Sequence, residues 1–476
     1  MEVEKKKPSI LMSISVFVGM LLILSFGVIL GGLDIISALM ICFVIIFILS
    51  LTYGYSIDEL FAAMGKSLGD ATMSLFFFFL IGMLMAMWIA SGTIPTLIYY
   101  GLNSISPALF LPLGFFACAI VSFVTGTSWG TAGTIGVALF GMGVGMGMEP
   151  ALVVGMIVSG SSFGDYCSPL SETTVLTSQS VQIDLYKHVE SMWRTLLPSF
   201  LITLAVFAYL GNDTTIAGNV DETSAILDTL SGNFHIGFLT LIPIIVVLGL
   251  SVFKVPTVPT LLIGIGLGFV TAIINQSQNP IELLNMLNYG YSLKSGNDMV
   301  DTLVNRGGIQ SMMWTFSLAF ISMLISGMLE KVGYLKVLIA VLIDRIVNKG
   351  LLILVTFITS ILGCMAMAEN YLSVIINGSL FKDVYPKKGL DKAVLSRTIE
   401  EGSTLAAFLI PWTTSGAFIV ATLGVPTFDF FQYAVFLLIE PVITIGLAFF
   451  GIGIKAKNKN KATTQASEEK NIITEA

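Results

Sequence analysis

Two acidic residues, Asp165 and Glu172, stand within the apolar stretch 150–176 among several serines and threonines. A carboxylate inside a long apolar segment is costly to bury, and such residues tend to mark ion or proton pathways. In an unbroken helix, their seven-residue spacing would place both on one face, two turns apart. Pro169 lies between them and predicts a break, because proline lacks an N–H donor and clashes with the preceding turn. The carbonyl, hydroxyl and carboxylate oxygens around such a break are suited to a small hard cation such as Na+.

A third acidic residue, Glu369, follows an apolar run, and the next basic residue lies thirteen positions further on. Two polar stripes at helical spacing accompany these acids. They are Thr127, Thr131 and Thr134 in the first half of the chain, and Asn370, Ser373 and Asn377 in the second. Polar stripes at corresponding places favour a binding site that the two halves share. The alternative for the threonines is a hydrogen bond back to their own helix.

Several other charged residues keep more than one interpretation. Glu400 and Glu401 stand close to Arg397, so a solvated helix start and a buried site both stay open. Glu440 lies in an apolar segment, but nothing in the sequence indicates its partner. Asp70 precedes an apolar run and is interpreted as a helix cap or an interface charge.

Cysteine and histidine usage argues against a disulfide framework and a metal centre. The four cysteines lie singly in apolar segments, where the expected role is that of a small buried hydrophobe. The two histidines, His188 and His235, are too far apart in the sequence to suggest a pair of metal ligands.

The bulk composition indicates a membrane protein. Of the 476 residues, 55% are hydrophobic and 11% are charged, whereas a soluble domain carries about 25% charged residues. The mean hydropathy is +0.91, and many apolar runs approach the roughly 20 residues that a membrane-spanning helix needs. The runs lie at 10–31, 35–54, 71–92, 106–125, 127–141, 150–176, 195–210, 236–253, 257–275, 310–330, 351–368, 370–381, 399–423 and 428–453. We predict an all-α polytopic membrane protein whose first run is a retained helix and not a signal peptide.

The two halves of the chain resemble each other. Residues 157–176 align without a gap with residues 399–418, an offset of 242 that pairs Pro169 with Pro411. Residues 81–84 match 321–324 at a nearly equal offset of 240. This pattern predicts two repeats.

The distribution of basic residues predicts that the second repeat is inverted, because Lys and Arg collect in short cytoplasmic loops. Both chain ends carry lysines, and the central stretch 211–235 has no Lys or Arg. A half that begins inside and ends outside crosses the membrane an odd number of times, so its copy must be inverted. The loops agree, since 91–105 has no basic residue and its counterpart 331–349 has four.

The predicted organisation is residues 1–210 as membrane repeat 1, 211–235 as an extracellular linker, 236–454 as the inverted membrane repeat 2, and 455–476 as a disordered cytoplasmic tail. The protein is predicted to lie in the plasma membrane, specifically a bacterial inner membrane, with both termini in the cytoplasm. The helices are predicted to be broken at prolines. The short segments 127–141 and 370–381 are interpreted either as re-entrant arms or as full passes.

With these residues assembled, the chain resembles the NhaC family of sodium/proton antiporters, a family that also includes malate/lactate antiporters. The resemblance lies in the motif Phe-Gly-Asp-Tyr-Cys-Ser-Pro-Leu-Ser-Glu-Thr-Thr at 163–174, and in the segments 125–131, 395–400 and 409–413. Two departures from the family pattern leave the identity of the substrate undetermined. Glu369-Asn370 stands where the family pattern leads us to expect Asp-Gln, and Glu401-Gly402-Ser403 replaces an acidic-Ser-Gly order.

The resemblance and the residues together give the predicted site. The predicted cation- and proton-binding residues are Asp165, Glu172, Glu369, Ser168, Ser171 and Thr173, with Asp165 as the Na+ ligand. The predicted substrate-binding residues are Thr127, Ser128, Thr131, Asn370, Ser373, Asn377, Ser403, Thr404, Thr413 and Thr414.

The predicted function is secondary active antiport of Na+ against H+, in which the two ions compete for buried carboxylates. The alternative is a Na+/H+-coupled exchanger of an organic anion or amino acid. The expected partners are the lipid bilayer and these ions or solutes, with no nucleic acid and no cofactor, and a homodimer stays open. No ATP-binding motif occurs, so gradients would drive transport. Two further hypotheses are an intramembrane aspartyl protease, which would pair Asp70 with Asp165 in a non-transport role, and a passive channel; we expect a transporter and not an enzyme.

Overall fold

The computed structural model describes residues 8–29, 31–212, 220–253, 255–335, 337 and 348–450, and within these the regular structure is helical with no β-strand. The predicted tail and the basic residues of the N-terminus lie outside the described residues. The prediction of an all-α membrane protein is confirmed.

The helices of the first half of the chain are α1 Ile10–Ile29, α2 Ile35–Thr52, α3 Ile57–Asp70, α4 Thr72–Ala90, α5 Thr93–Ser104, α6 Pro107–Thr125, α7 Ser128–Thr131, α8 Val137–Gly145, α9 Pro150–Cys167, α10 Glu172–Val181, α11 Leu185–Gly211 and α12 Val220–Asn233. A π-helical segment, Ala132–Gly136, joins α7 to α8.

The helices of the second half are α13 Ile242–Val252, α14 Thr257–Gln276, α15 Pro280–Tyr289, α16 Asp298–Val304, α17 Ile309–Val332, α18 Lys349–Met367, α19 Asn370–Phe381, α20 Val384–Lys387, α21 Lys392–Glu400, α22 Thr414–Leu423, α23 Thr427–Phe430 and α24 Val435–Phe449. A π-helical segment, Glu401–Leu405, continues α21. Short 3-10 segments, Phe238–Leu241 and Phe431–Tyr433, precede α13 and α24.

Seven of the described helices are long and apolar enough to cross a membrane, and up to nine spans result if two sharply bent pairs are each one span. The bent pairs are at Ser224–Asn233 with Phe238–Val252 and at Thr414–Leu423 with Thr427–Tyr433, with bends of 91° and 92°. The segments predicted as re-entrant or full passes form α7 with α8 and α19, and neither is among the seven long helices. Six helices lie wholly outside the predicted apolar runs and were not anticipated from hydropathy: α3, α5, α12, α15, α16 and α20.

Helix bounds in the two halves coincide at the offset of 242 residues. It relates α6 to α18 and α10 to α22 at both ends, and the first residue of α9 to that of α21. Coincident bounds are what the predicted duplication requires and support it. The inversion of one half relative to the membrane stays a prediction.

Among the described helices, α6 and α9 share the most extensive contact, and glycines permit it. A Cβ atom at Gly160 would lie 2.6 Å from the carbonyl oxygen of Phe115 and 2.7 Å from the Cβ of Cys118. One turn on, a Cβ at Gly164 would meet the backbone of Ala119 and Phe123. Small residues let helix backbones approach closely in membranes, and here they hold the C-terminal end of α9 against α6.

We predict that Gly160→Ala lowers the free energy of unfolding by about 1–3 kcal/mol, because the added methyl group overpacks this interface. The measurement is thermal unfolding of the purified protein in detergent. The matched control is Gly249→Ala in α13, where nothing lies within 4 Å of the added Cβ. Equal stability of the two variants would contradict the role given to the α6–α9 contact.

Candidate ion-binding site

A polar cavity of about 330 Å3 lies among the ends of broken helices from both halves of the chain. Its walls include the beginnings of α7, α10 and α19 and residues of α4, α13 and α14. Helices that begin at a cavity direct free N–H groups and the positive ends of their dipoles into it. The cavity is therefore built to favour negative charge on its wall.

Asp165 is held at this cavity by the start of α7. It lies near the C-terminal end of α9 and is 7% exposed. The hydroxyl of Ser128 donates to its Oδ2 at 2.6 Å, and Ser171 also lies beside it. Ser128 reaches this position because the chain breaks at Gly126, which has a left-handed backbone with φ 68°, and restarts after Thr127.

Glu369 occupies the corresponding break in the second half. It is the N-cap of α19, is 4% exposed, and its Oε1 accepts the backbone N–H of Asn370 at 3.1 Å. The Thr414 hydroxyl, at the start of α22, donates to Oε2 at 2.7 Å. Ala368, which precedes Glu369, has φ 52° and therefore the same left-handed backbone as Gly126. A residue other than glycine in this region is strained, and such strain persists where the surroundings enforce it.

The other predicted ion-site residues differ in their placement. Glu172 begins α10, is exposed, and accepts a hydrogen bond of 3.4 Å from Tyr371 at the wall of the cavity. Ser171 caps α10 and lies 2.9 Å from the hydroxyl of Thr173, and both line the cavity. Ser168 is outside the cavity lining and donates to the carbonyl of Phe123, so its contact is with α6.

The predicted substrate-binding residues separate into two groups. Those that line the cavity are Thr127, Ser128, Asn370 and Thr404. Those outside its lining are Thr131, Ser373, Asn377, Ser403, Thr413 and Thr414. Thr131 donates to the Thr127 carbonyl of its own helix, which is the alternative that the sequence left open. Ser373 donates to the carbonyl of Ser360 in α18 and lies 2.9 Å from the hydroxyl of Ser403, so this stripe joins helices together.

The charge of the cavity wall has one sign. Four carboxylates line it, at Asp70, Asp165, Glu172 and Glu369, and no Lys, Arg or His of the described chain does. Asp70 was not among the predicted site residues. It ends α3, and its position beside an apolar run gave no signal that it faces the same cavity as Asp165.

A second group of buried carboxylates lies behind the cavity. Glu400, Glu401 and Glu440 are each 0% exposed, so the interpretation of Glu400 and Glu401 as a solvated helix start is wrong. Glu400 contacts His188 at 2.6 Å, and Glu401 accepts from Tyr166 at 3.0 Å. Glu440, which had no partner in the sequence, accepts a hydrogen bond from the hydroxyl of Ser199.

The partners of Glu401 include a buried cation. Arg397 is 1% exposed, and its Nε lies 3.7 Å from Oε1 of Glu401. Among the described residues, Oε2 of Glu401 and Oε1 of Glu440 have no hydrogen-bond partner. The four cysteines are free and buried, as predicted, and no group of three or more metal-ligating side chains occurs in the described part of the chain.

Comparison with known proteins gives one family. A model of the Na+/H+ antiporter family matches residues 3–212 and 178–452. The Na+/H+ antiporter NhaC of Alkalihalophilus pseudofirmus is 38% identical over 83% of this chain and 86% of that protein. The malate-2H+/Na+-lactate antiporter of Bacillus subtilis is 34% identical over 87% and 88%. The arginine/ornithine antiporter ArcD of Halobacterium salinarum is 32% identical over 98% and 96%.

The two left-handed breaks predict unequal changes in stability when glycine and alanine are exchanged. Gly126→Ala should cost more than about 2 kcal/mol of stability, because left-handed strain adds to a close contact; its Cβ would lie 2.7 Å from the carbonyl carbon of Leu170. Ala368→Gly should stay within about 1 kcal/mol of wild type, since relief of strain offsets the greater chain entropy of glycine. Thermal unfolding of both variants in detergent measures this, and equal destabilisation would contradict it.

Proposed function

The chain belongs to the Na+/H+ antiporter family, as its motifs predicted, and we propose that it exchanges Na+ for H+ at the cavity that contains Asp165 and Glu369. The observation that carries this proposal is the charge of the cavity wall. Four carboxylates and no basic side chain of the described chain line it, and two of these carboxylates are almost fully buried. A wall of this composition attracts a cation.

Competition between the two ions follows from two opposing effects at Asp165 and Glu369. Burial disfavours the charged form of a carboxyl group, while hydroxyl and N–H donors favour it. Each of these carboxyls is buried, and each accepts a hydrogen bond from a hydroxyl. A proton and a Na+ ion are two ways to neutralise the same carboxylate, so binding of one releases the other. In this proposal, Glu172 and Asp70 supply further negative charge at the cavity wall.

We place the protein in a bacterial plasma membrane, as for a relative of the bacterial antiporters. We place both termini in the cytoplasm because lysines lie near the two chain ends. The relatives are named as transporters, and transport requires no covalent chemistry from the protein. We assign no cofactor, with Na+ as the transported ion, and a homodimer remains part of the proposal to be tested.

A second candidate function is exchange of an organic cation, and the size of the cavity favours it. A volume of about 330 Å3 falls in the range of small-molecule pockets, which is far more than one dehydrated Na+ needs. Phe77, Trp129 and Phe408 add aromatic surface to the wall. An organic anion such as malate would meet four carboxylates there, so the charge favours a positively charged amino acid, the class named for the arginine/ornithine relative.

We predict that Asp165→Asn abolishes Na+-dependent proton movement. The amide keeps the size of the side chain, but it carries no negative charge to bind Na+ and does not take up a proton. The assay uses purified protein in proteoliposomes with a pH-sensitive dye inside, to which Na+ is added outside with no other solute. Asp58→Asn, an exposed aspartate in α3, is the matched control and should keep wild-type activity. Full activity of the Asp165 variant would contradict the proposed site.

The same vesicles separate the two candidate functions. We expect Na+ alone to move protons. An organic-cation exchanger would instead respond only after arginine or ornithine is added, and malate would have no effect because the cavity wall is negative. A response that requires malate or lactate would contradict the argument from charge and favour the organic-anion alternative.

A further inference from the structure

A histidine and a glutamate form a fully buried pair behind the cavity. His188 of α11 and Glu400 at the end of α21 are both 0% exposed, and the Nε2 and Oε2 atoms are 2.6 Å apart. A contact this short between a ring nitrogen and a carboxyl oxygen needs one hydrogen between them. That hydrogen is carried either by the imidazole or by the carboxyl group.

The contact at Nδ1 of the imidazole limits the protonation forms that the pair can take. Nδ1 of His188 lies 2.8 Å from the hydroxyl of Ser396, and this hydroxyl donates to the carbonyl of Ala393 at 3.0 Å. The Ser396 oxygen is then left to accept a hydrogen from Nδ1. The pair is therefore either imidazolium with carboxylate or neutral imidazole with carboxylic acid, and the two forms differ only in the position of one proton.

The hydroxyls of Thr173 and Ser171 connect this pair to the cavity. Oε1 of Glu400 accepts from Thr173 at 3.2 Å and from Thr174 at 3.0 Å. The Thr173 hydroxyl is 2.9 Å from that of Ser171, and both residues line the cavity. Thr174 does not line the cavity, and its hydroxyl turns to the carbonyl of Tyr166 as well.

A small pocket lies between α11 and the start of α21, beside the backbone of His188. A pocket of about 30 Å3 is lined there by Lys187, Ser191, Asp391 and Ala393 among others. Ser191 donates to the backbone carbonyls of His188 and Ala393, so the pocket lies beside the backbone of His188. A pocket of this volume has room for a water molecule. Its basic residues predict that this face is cytoplasmic.

The surrounding charges leave His188 as the group that offsets Glu400. The titratable and charged side chains that interact with this buried cluster include Asp165, Tyr166, Cys167, Arg397, Glu401 and Glu440. Arg397 is the cation among them, and it is paired with Glu401. An unpaired buried carboxylate is strongly disfavoured, and the contact with His188 gives Glu400 its partner.

We propose that His188 and Glu400 form a proton relay that takes up a proton from the cavity and gives it back. This inference rests on the proposed exchange of Na+ for H+ and adds a route for the proton. The N–H bond at Nε2 breaks as an O–H bond forms on Glu400. After the carboxyl group turns, it gives this proton to the Thr173 oxygen while Thr173 passes its own hydrogen to Ser171, which gives a hydrogen to the cavity. Each oxygen on the route gains one proton and loses one, and the same transfers in reverse return a proton from the cavity to Nε2 of His188.

The test compares two fluxes in proteoliposomes of the full chain, carrying His188→Gln or Glu400→Gln. One flux is Na+-driven proton movement, and the other is exchange of radioactive Na+ for Na+ at equal pH, which needs no net proton movement. Glutamine cannot take up and release a proton, so Na+-driven proton movement should fall by about tenfold or more. Na+/Na+ exchange should stay close to that of the wild type. His235→Gln, the same substitution at an exposed histidine, should leave both fluxes unchanged.

The cavity end of the relay has its own matched pair of variants. Thr173→Val and Thr174→Val each remove one hydroxyl from the same oxygen of Glu400, but only Thr173 leads to the cavity. Proton movement should fall in Thr173→Val and persist in Thr174→Val. Equal fluxes in these two variants would show that the hydroxyls only hold Glu400 in place and would overturn the route.

The remaining outcomes separate the relay from the transport function on which it rests. Wild-type protein that moves neither Na+ nor H+ overturns the proposed function and the relay with it. Active wild-type protein with unchanged proton movement in His188→Gln overturns the relay alone. A parallel loss of proton movement and Na+/Na+ exchange also overturns it, because the pair would then be needed for the structure and not for the proton.

Discussion

The structure depends on holding carboxyl groups out of water at points where the helix backbone is interrupted. An unpaired carboxylate in a low-dielectric interior is strongly destabilised. The bundle around Asp165 and Glu369 supplies hydroxyl and N–H donors, and none of the described basic side chains lines their cavity. The donors partly stabilise the negative charge, and the missing positive charge must come from an ion or a proton. In the proposed mechanism, the burial that makes these groups costly also makes them exchange one cation for another.

The two halves make the same break in the backbone and use it differently. Gly126 and Ala368 share a left-handed conformation at the offset that relates the helix bounds. In the first half, the acid is Asp165, which lies on a neighbouring helix and accepts from the first turn after the break. In the second half, the acid is Glu369, the capping residue of the break itself. The repeated scaffold therefore places two buried carboxyl groups in different surroundings.

Much of this arrangement was predictable because it follows from local rules. Apolar length predicted the spanning helices, and Pro169 predicted the break between Asp165 and Glu172. The contacts of a polar stripe were not predictable, because helical spacing shows which residues share a face but not what that face meets. Ser373 therefore looked like a ligand and is bonded to the backbone of α18. The pairing of Glu400 with a histidine 212 residues away is set by tertiary packing alone.

The central claim is that Na+ and H+ compete for the carboxylates of one cavity. Titration calorimetry of Na+ binding to the purified protein tests it most directly, at several pH values and in buffers that differ in ionisation enthalpy. The account predicts that Na+ binds more weakly as the pH falls and that binding releases protons to the buffer. Na+ affinity that is independent of pH, with no proton released, would contradict it.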